Sequence, residues 1–286
     1  MTAREKADFK RKIKREADKM GINKIGFASA DIWDERGDIN EEYRPKSIWP
    51  WCKTVIVMAV QIFPSMIETT PSVVYSELYN TTNRFLDESA YRLANFLNRQ
   101  GFRAHFFPRD CYGDISVLVK KPEAAFSHVM AALYAGIGTI GMNHTLLTEE
   151  YGPRVRLVSV ITDADITPDK MLEHELCIKC QRCVKNCPMQ VFAPHDDRII
   201  ADMDKHKCAV YHQQLKNEYR YPCGVCTAVC PIGNDKKLYG NKSVSDVGIE
   251  HCRNFGSQNA VWILRNRIKK RTPLSLPDSE VLIYGY

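Results

Sequence analysis

Two cysteine runs late in this 286-residue chain constrain it more than any other feature. The first reads Cys177-Ile-Lys-Cys180-Gln-Arg-Cys183-Val-Lys-Asn-Cys187-Pro188. That is the C-x2-C-x2-C-x3-C-P spacing of bacterial ferredoxins, in which the fourth cysteine ligates the other of two clusters. The second run, Cys223-Gly-Val-Cys226-Thr-Ala-Val-Cys230-Pro231, has the same ending but lacks one early cysteine. Cys208, between the runs, is the natural replacement. The count then closes on two [4Fe–4S] clusters. One takes Cys177, Cys180, Cys183 and the remote Cys230; the other takes Cys223, Cys226, Cys208 and the remote Cys187.

Two other chemistries use thiols at this density. Structural zinc would also need eight thiolates, but it usually takes paired C-x2-C knuckles rather than a three-cysteine run closed by Cys-Pro. Disulfides belong to oxidising compartments. Met1 to Lys19 is too charged for a secretory signal and carries no twin arginine, so a cytoplasmic location is expected. Cys52, Cys111 and Cys252 stand alone and read as core fillers. Cys111, beside Asp110, is the one to test for reactivity.

The remaining composition excludes two classes. With 44% apolar and 26% charged residues, the chain has enough apolar surface to fold. No stretch approaches the roughly 18 uncharged apolar residues of a membrane span. The net charge of +6 says little about nucleic acid.

Strand and helix patterns alternate through residue 161, which predicts an α/β or α+β domain over residues 1–165. Phe9, Ile13, Ala17 and Met20 recur at helical spacing, and Leu86, Ala90, Leu93 and Leu97 mark a helix over residues 83–100. Thr54 to Val60 is β-branched and apolar on both faces, as a central strand covered by helices should be. A third helix is expected over Ala124 to Tyr134. Asp163 to Lys170 reads as a junction, residues 166–240 as a double-cluster module, and residues 241–286 as a helical tail. Val281 to Tyr284 would dock the tail on the body or on a second subunit.

A glycine-rich loop, Ala135-Gly136-Ile137-Gly138-Thr139-Ile140-Gly141-Met142-Asn143, follows a helix rather than a strand, which is the wrong context for a dinucleotide fingerprint. It reads either as a turn requiring positive φ or as bare backbone that a flat ligand can approach. This loop, together with Leu146 to Leu157 (LLTEEYGPRVRL), resembles the cobalamin-dependent iron–sulfur reductases, comprising epoxyqueuosine reductases and reductive dehalogenases. Gly21 to Ala28, Arg44 to Ile48 and Lys53 to Val57 are similar to the epoxyqueuosine side.

The resemblance implies a nitroreductase-like domain holding base-off cobalamin beside a ferredoxin-like module. In such proteins the clusters reduce Co(II) to Co(I), which drives reductive cleavage or deoxygenation of substrate. Gly136, Ile137, Gly138, Thr139, Ile140, Gly141, Asn143 and Thr145 would then line the corrin pocket. The catalytic aspartate of epoxyqueuosine reductases falls at Pro122 here, leaving Glu123 and His128 as candidate proton donors. The motif's usual lysine is Met142. Dehalogenases commonly use a tyrosine acid with a basic neighbour, and Tyr75, Tyr79, Tyr112 and Tyr134 are available. A low-potential ferredoxin or flavodoxin would be the donor, and a small molecule or modified nucleoside the substrate. A protein that only reduces or delivers corrinoid is the alternative, and a flavin-binding domain a third reading. The basic run Arg265 to Arg271 reads as a solvated helix end or as a tRNA contact.

Overall fold

The computed structural model describes residues 1–235. Cys252, the basic run at 265–271 and the tail lie outside the described residues. The elements in order are α1 (Ala3–Lys19), β1 (Lys24–Ser29), α2 (Ile32–Arg36), α3 (Pro45–Ile48), β2 (Thr54–Gln61), α4 (Pro64–Ile67), α5 (Val73–Arg99), β3 (Ala104–Phe107), α6 (Ile115–Lys120) and α7 (His128–Tyr134). Then come β4 (Thr139–Ile140), β5 (Leu146–Leu147), β6 (Val155–Thr162), α8 (Arg182–Lys185), β7 (Phe192–Ala193), β8 (Asp202–Met203), α9 (Lys205–Asn217) and α10 (Val225–Ala228).

The main sheet runs β1-β2-β6-β3 and every pairing in it is antiparallel, which selects α+β from the two expectations. β2 is central and both of its faces are covered. Val55, Val57 and Ala59 join Trp33, Ala131, Ala132 and Tyr134 on one side. Ile56, Met58 and Val60 join Ile13 of α1 and Leu86, Leu93 and Leu97 of α5 on the other. Each buried Val, Ile, Leu or Met among them contributes about 1.5–3 kcal/mol. α7 packs so closely on β1 that a Cβ at Gly26 would lie 2.5 Å from the Ala135 carbonyl oxygen and 2.8 Å from Ile137 Cγ1.

α1 begins on a capping box, with Thr2 and Glu5 each satisfying the other's backbone N–H. Its polar face ties down residues 163–169: Lys6 pairs with Asp165, and Lys10 with Asp169. Ala164 and Ile166 are buried in the core, so the expected junction runs as an edge of the body rather than as a free linker. α5 starts ten residues earlier than its apolar stripe suggested, on the side chain of Ser72, which accepts from the Tyr75 N–H. Residues 124–127 lie outside α7, which begins only at His128 on the Ser127 cap.

The cysteine segment has little regular structure. Its core is Met142, Val191, Phe192 and Ala201, against which Cys177, Cys183, Cys187, Cys208 and Cys226 pack. Among the described residues no helix is long and apolar enough to cross a membrane.

Candidate functional site

The two cysteine quartets line two different cavities. A small one, about 20 Å³, is walled by Cys177, Cys180, Cys183 and Cys230 with Gly141, Asn143 and Ile178. A larger one, about 400 Å³, has Cys187, Cys208, Cys223 and Cys226 in its wall. Each run therefore sends one cysteine to the other run's cavity. Asn143 borders both, and its amide donates to the Cys226 carbonyl at 3.3 Å.

Local backbone explains how a short loop aims three thiols at one point. Lys179 (φ 52°) and Gln181 (φ 57°) are left-handed, a conformation rare outside glycine, and they bend the chain between successive cysteines. The second run turns on Gly224 (φ 66°), where a Cβ would meet the Tyr75 ring at 2.6 Å. The Thr70 hydroxyl donates to the Cys223 carbonyl, fixing this run to the body.

Burial keeps several of these sulfurs protonated as thiols at neutral pH. Burial pushes Cys208 up to about 12 and Cys223 and Cys226 up to about 11, with neighbouring cysteines adding to the rise. Cys183 goes up to about 11 for the same reasons. Such sites hold thiolates only when a metal charge compensates them. The ten described cysteines are all free, so the disulfide reading fails there.

The 400 Å³ cavity adjoins another of about 580 Å³, and Tyr112, Pro122, Thr145 and Arg156 line both. A charged network stands in this wall. Arg156 Nη2 donates to Asp110 Oδ1 at 2.9 Å and its Nε to Asn83 Oδ1 at 3.1 Å. The Tyr79 hydroxyl donates to the same Asp110 carboxylate at 3.0 Å, and the Arg156 guanidinium lies 4.4 Å above the Tyr79 ring. Burial opposes the Arg156 charge, but Tyr79, Asp110, Tyr112 and Tyr221 around it outweigh that and hold it protonated. The Tyr112 and Tyr221 hydroxyls are 2.6 Å apart, and burial raises both phenols well above their ordinary value.

The two sequence-picked proton donors are not built for that task. Glu123 is exposed, and the Tyr43 hydroxyl and Lys121 ammonium lower its carboxyl, so it accepts rather than gives a proton. His128 is buried and neutral, pushed down to about 4 by desolvation. Its Nε2–H donates to the Pro108 carbonyl at 2.9 Å, and Nδ1 accepts from the Ser159 hydroxyl at 2.8 Å. Cys111 is also shut: burial and Asp110 push its thiol up to about 12, and it donates to the Pro108 carbonyl at 3.1 Å.

The glycine loop divides. Gly136, Ile137, Gly138 and Thr139 line neither large cavity. Gly136 (φ 68°) ends α7, and a Cβ there would collide with the Lys170 carbonyl. A Cβ on Gly138 would collide with the Leu147 carbonyl across the β4–β5 hairpin. At both positions the room a side chain would need is taken by the protein's own backbone. Ile140 and Thr145 do face the large cavities, Gly141 faces the small one, and Asn143 the wall between. Met142 is buried in the core of the cysteine segment, so its apolar side chain packs where the motif's lysine would stand. Of the four sequence-picked tyrosines, Tyr75, Tyr79 and Tyr112 line the cavity; Tyr134 packs on Trp33 instead. Arg156, Asp110 and Tyr221 were missed because they are far apart in sequence. The one available signal was an arginine inside an otherwise apolar strand.

Fold and cysteine geometry together define a class, an α+β body carrying a cysteine-rich iron–sulfur segment. Residues 176–234 match a family model described as a 4Fe-4S dicluster domain. The chain's relatives are reductive dehalogenases and epoxyqueuosine reductases. It is 30% identical over 193 residues to a tetrachloroethene reductive dehalogenase of Desulfitobacterium hafniense, covering 62% of this chain and 32% of that one. It is 27% identical over 241 residues to an epoxyqueuosine reductase of Bacillus cereus, covering 74% of this chain and 61% of that one. The chain thus spans about a third of the first relative's length and under two thirds of the second's. Among solved structures, a catabolic reductive dehalogenase superposes with a TM-score of 0.61 at 19% identity over 90% of this chain and 36% of that one. Epoxyqueuosine reductase from Streptococcus thermophilus superposes at 0.55 and 23% over 85% of this chain and 70% of that one.

Proposed function

We propose that this chain is a reductase in which [4Fe–4S] clusters at the two cysteine quartets serve a base-off cobalamin bound in the adjoining cavities. Its substrate is a small organic molecule with a carbon–heteroatom bond to cleave or an epoxide to deoxygenate. The clusters supply low-potential single electrons. The corrinoid supplies the strongly reducing centre. The observation that carries this reading is one shared wall: the quartet of Cys187, Cys208, Cys223 and Cys226 borders the same cavity as Tyr79, Tyr112 and Arg156. A neighbour of TM-score 0.60, a reductive dehalogenase whose structure is described as suggesting a mechanism for B12-dependent dehalogenation, supports the corrinoid. Large cavities with mostly apolar walls and few convergent polar groups suit such a ligand.

The chain's own residues supply position and a proton. Tyr112 keeps its phenolic proton at neutral pH and stands where the two cavities meet, hydrogen-bonded to Tyr221. Arg156, fixed by Asp110 and Asn83, stabilises the phenolate left when that proton departs. Tyr79 holds Asp110 in register for Arg156. Pro122 places an apolar ring at the junction, where the resemblance leads one to look for a carboxylate. That favours a small molecule over the epoxyqueuosine of a tRNA, such as the stem loop bound by one solved epoxyqueuosine reductase. The alternative, a protein that only reduces corrinoid for another, draws on the same Pro122.

Anaerobic reconstitution should give about eight irons per chain. Added hydroxocobalamin should shift to the base-off spectrum. Tyr112→Phe should keep both and lose about 10²–10⁴-fold in turnover, the range expected for a general acid. Tight binding of FMN with none of corrinoid overturns the reading.

A further inference from the structure

The small cavity of Cys177, Cys180, Cys183 and Cys230 lies directly beneath the protein surface. The loop that walls it also forms that surface: Ile178 is 65% exposed, and Lys179, Cys180, Gln181 and Arg182 beside it are exposed as well. The segment carries Lys179, Arg182 and Lys185, and between Cys177 and Gln190 the sequence has no acidic residue. Among the described residues none of these three cations is in an ion pair. Lys179 Nζ donates only to the Asp196 carbonyl at 2.8 Å, which leaves its charge uncompensated. An exposed apolar side chain on the same short segment as three cations outside any ion pair is a small hydrophobic anchor with a charged surround. That is how transient interfaces combine a contact point with long-range steering.

We propose that Ile178, Lys179, Arg182 and Lys185 form the docking surface for an acidic one-electron carrier protein, which delivers electrons to the cluster at Cys177, Cys180, Cys183 and Cys230. The inference rests on the cluster reading above. In the step the reduced carrier loses one electron and the cluster gains one; no bond is made or broken and no proton moves. The direction of flow follows from depth. This quartet meets the solvent through Ile178 and Cys180, whereas the other borders the large internal cavity. The uncompensated cations attract an acidic partner and raise its on-rate, an effect that weakens as salt shortens the Debye length.

The test uses the full chain, reconstituted anaerobically, and compares it with Arg182→Glu/Lys185→Glu. Reduction is followed by bleaching of cluster absorbance in stopped flow, driven either by a reduced acidic plant-type ferredoxin or by photoreduced 5-deazaflavin, a small uncharged reductant. With ferredoxin at low salt, the charge-reversed chain should react more than about tenfold slower than the parent and lose its salt dependence. With deazaflavin the two should match, and their iron contents should be equal. Ile178→Ala should weaken saturation by ferredoxin without altering the salt slope. Equal ferredoxin rates for the parent and the charge-reversed chain overturn the proposal. So does a change of oligomeric state on charge reversal with the ferredoxin rate unaltered, which would assign the face to a second copy. A parent chain that holds no iron fails the cluster reading instead, a result distinguishable from either.

Discussion

The guanidinium of Arg154 and the carboxylate of Asp235 meet in the interior with both side chains fully shielded from solvent, at 2.8 Å (Nε–Oδ2) and 2.5 Å (Nη2–Oδ1). The same guanidinium donates to the Cys230 carbonyl at 3.2 Å and to the Ile232 carbonyl at 2.6 Å. One arginine, at the threshold of β6, thus clamps the end of the second cysteine run to the body. Removing one partner of a buried pair leaves an uncompensated charge, at a cost of about 3–5 kcal/mol. Arg154→Met should therefore lower the thermal midpoint sharply. Asp235→Asn, which keeps the shape but strands the buried Arg154 charge, should lower it comparably. A circular-dichroism melt in which both variants match the parent would remove the clamp from the account.

Crossing of the quartets makes a stoichiometric prediction. Cys230→Ala lies in the second run but strips a ligand from the cavity of Cys177, Cys180 and Cys183. Cys187→Ala does the converse. Each should lose about half the iron, with the surviving cluster signal differing between the two by electron paramagnetic resonance. Identical residual spectra would contradict the assignment.

His128 should make the fold acid-labile in a defined window. Burial lowers its pKa from 6.5 to about 4, so below pH 6.5 the unfolded chain binds a proton that the native chain refuses. Stability is then complete above pH 6.5, falls as pH drops, and stops falling from this source near pH 4. His128→Phe should flatten the melting temperature against pH across that window. An unchanged slope would mean that other groups carry the acid sensitivity.

Glu123→Gln should leave turnover within about twofold of the parent, because an exposed, ionised carboxylate gives no proton. A loss on the scale of Tyr112→Phe would return Glu123 to the chemistry.

Gly138→Ala should destabilise the protein by about 1–3 kcal/mol, since the added methyl meets the Leu147 carbonyl. Corrinoid affinity of the surviving folded fraction should be unaltered, because Gly138 lines neither large cavity. A specific loss of corrinoid binding would restore the ligand-facing role to this glycine.

The sequence disclosed the cysteine quartets because their geometry is local: fixed spacing on one loop puts three thiols around one point, and the missing ligand is found by counting. Central strand β2 was equally visible, since a run apolar on both faces has few other uses. The residues at the junction of the two large cavities were not. Glu123 and His128 were chosen by counting along the chain to a family position, and counting carries no information on burial or partners. Arg156, Asp110, Tyr79 and Tyr221 come from four separate segments and meet only after β6 pairs between β2 and β3. The glycine loop was ambiguous for a related reason: a residue lacking Cβ shows that something approaches closely, not what approaches. At Gly136 and Gly138 it is the chain's own carbonyl oxygens.

Because Cys230 closes a cavity begun at Cys177, and Cys187 belongs to one finished at Cys226, neither lining is complete early in translation. A ribosome must release nearly the whole stretch from 177 to 230 from its exit tunnel before either quartet has all its sulfurs. Iron delivered before then would find incomplete quartets, the first with three sulfurs and the second with as few as one, so neither site can fill until the second run has emerged.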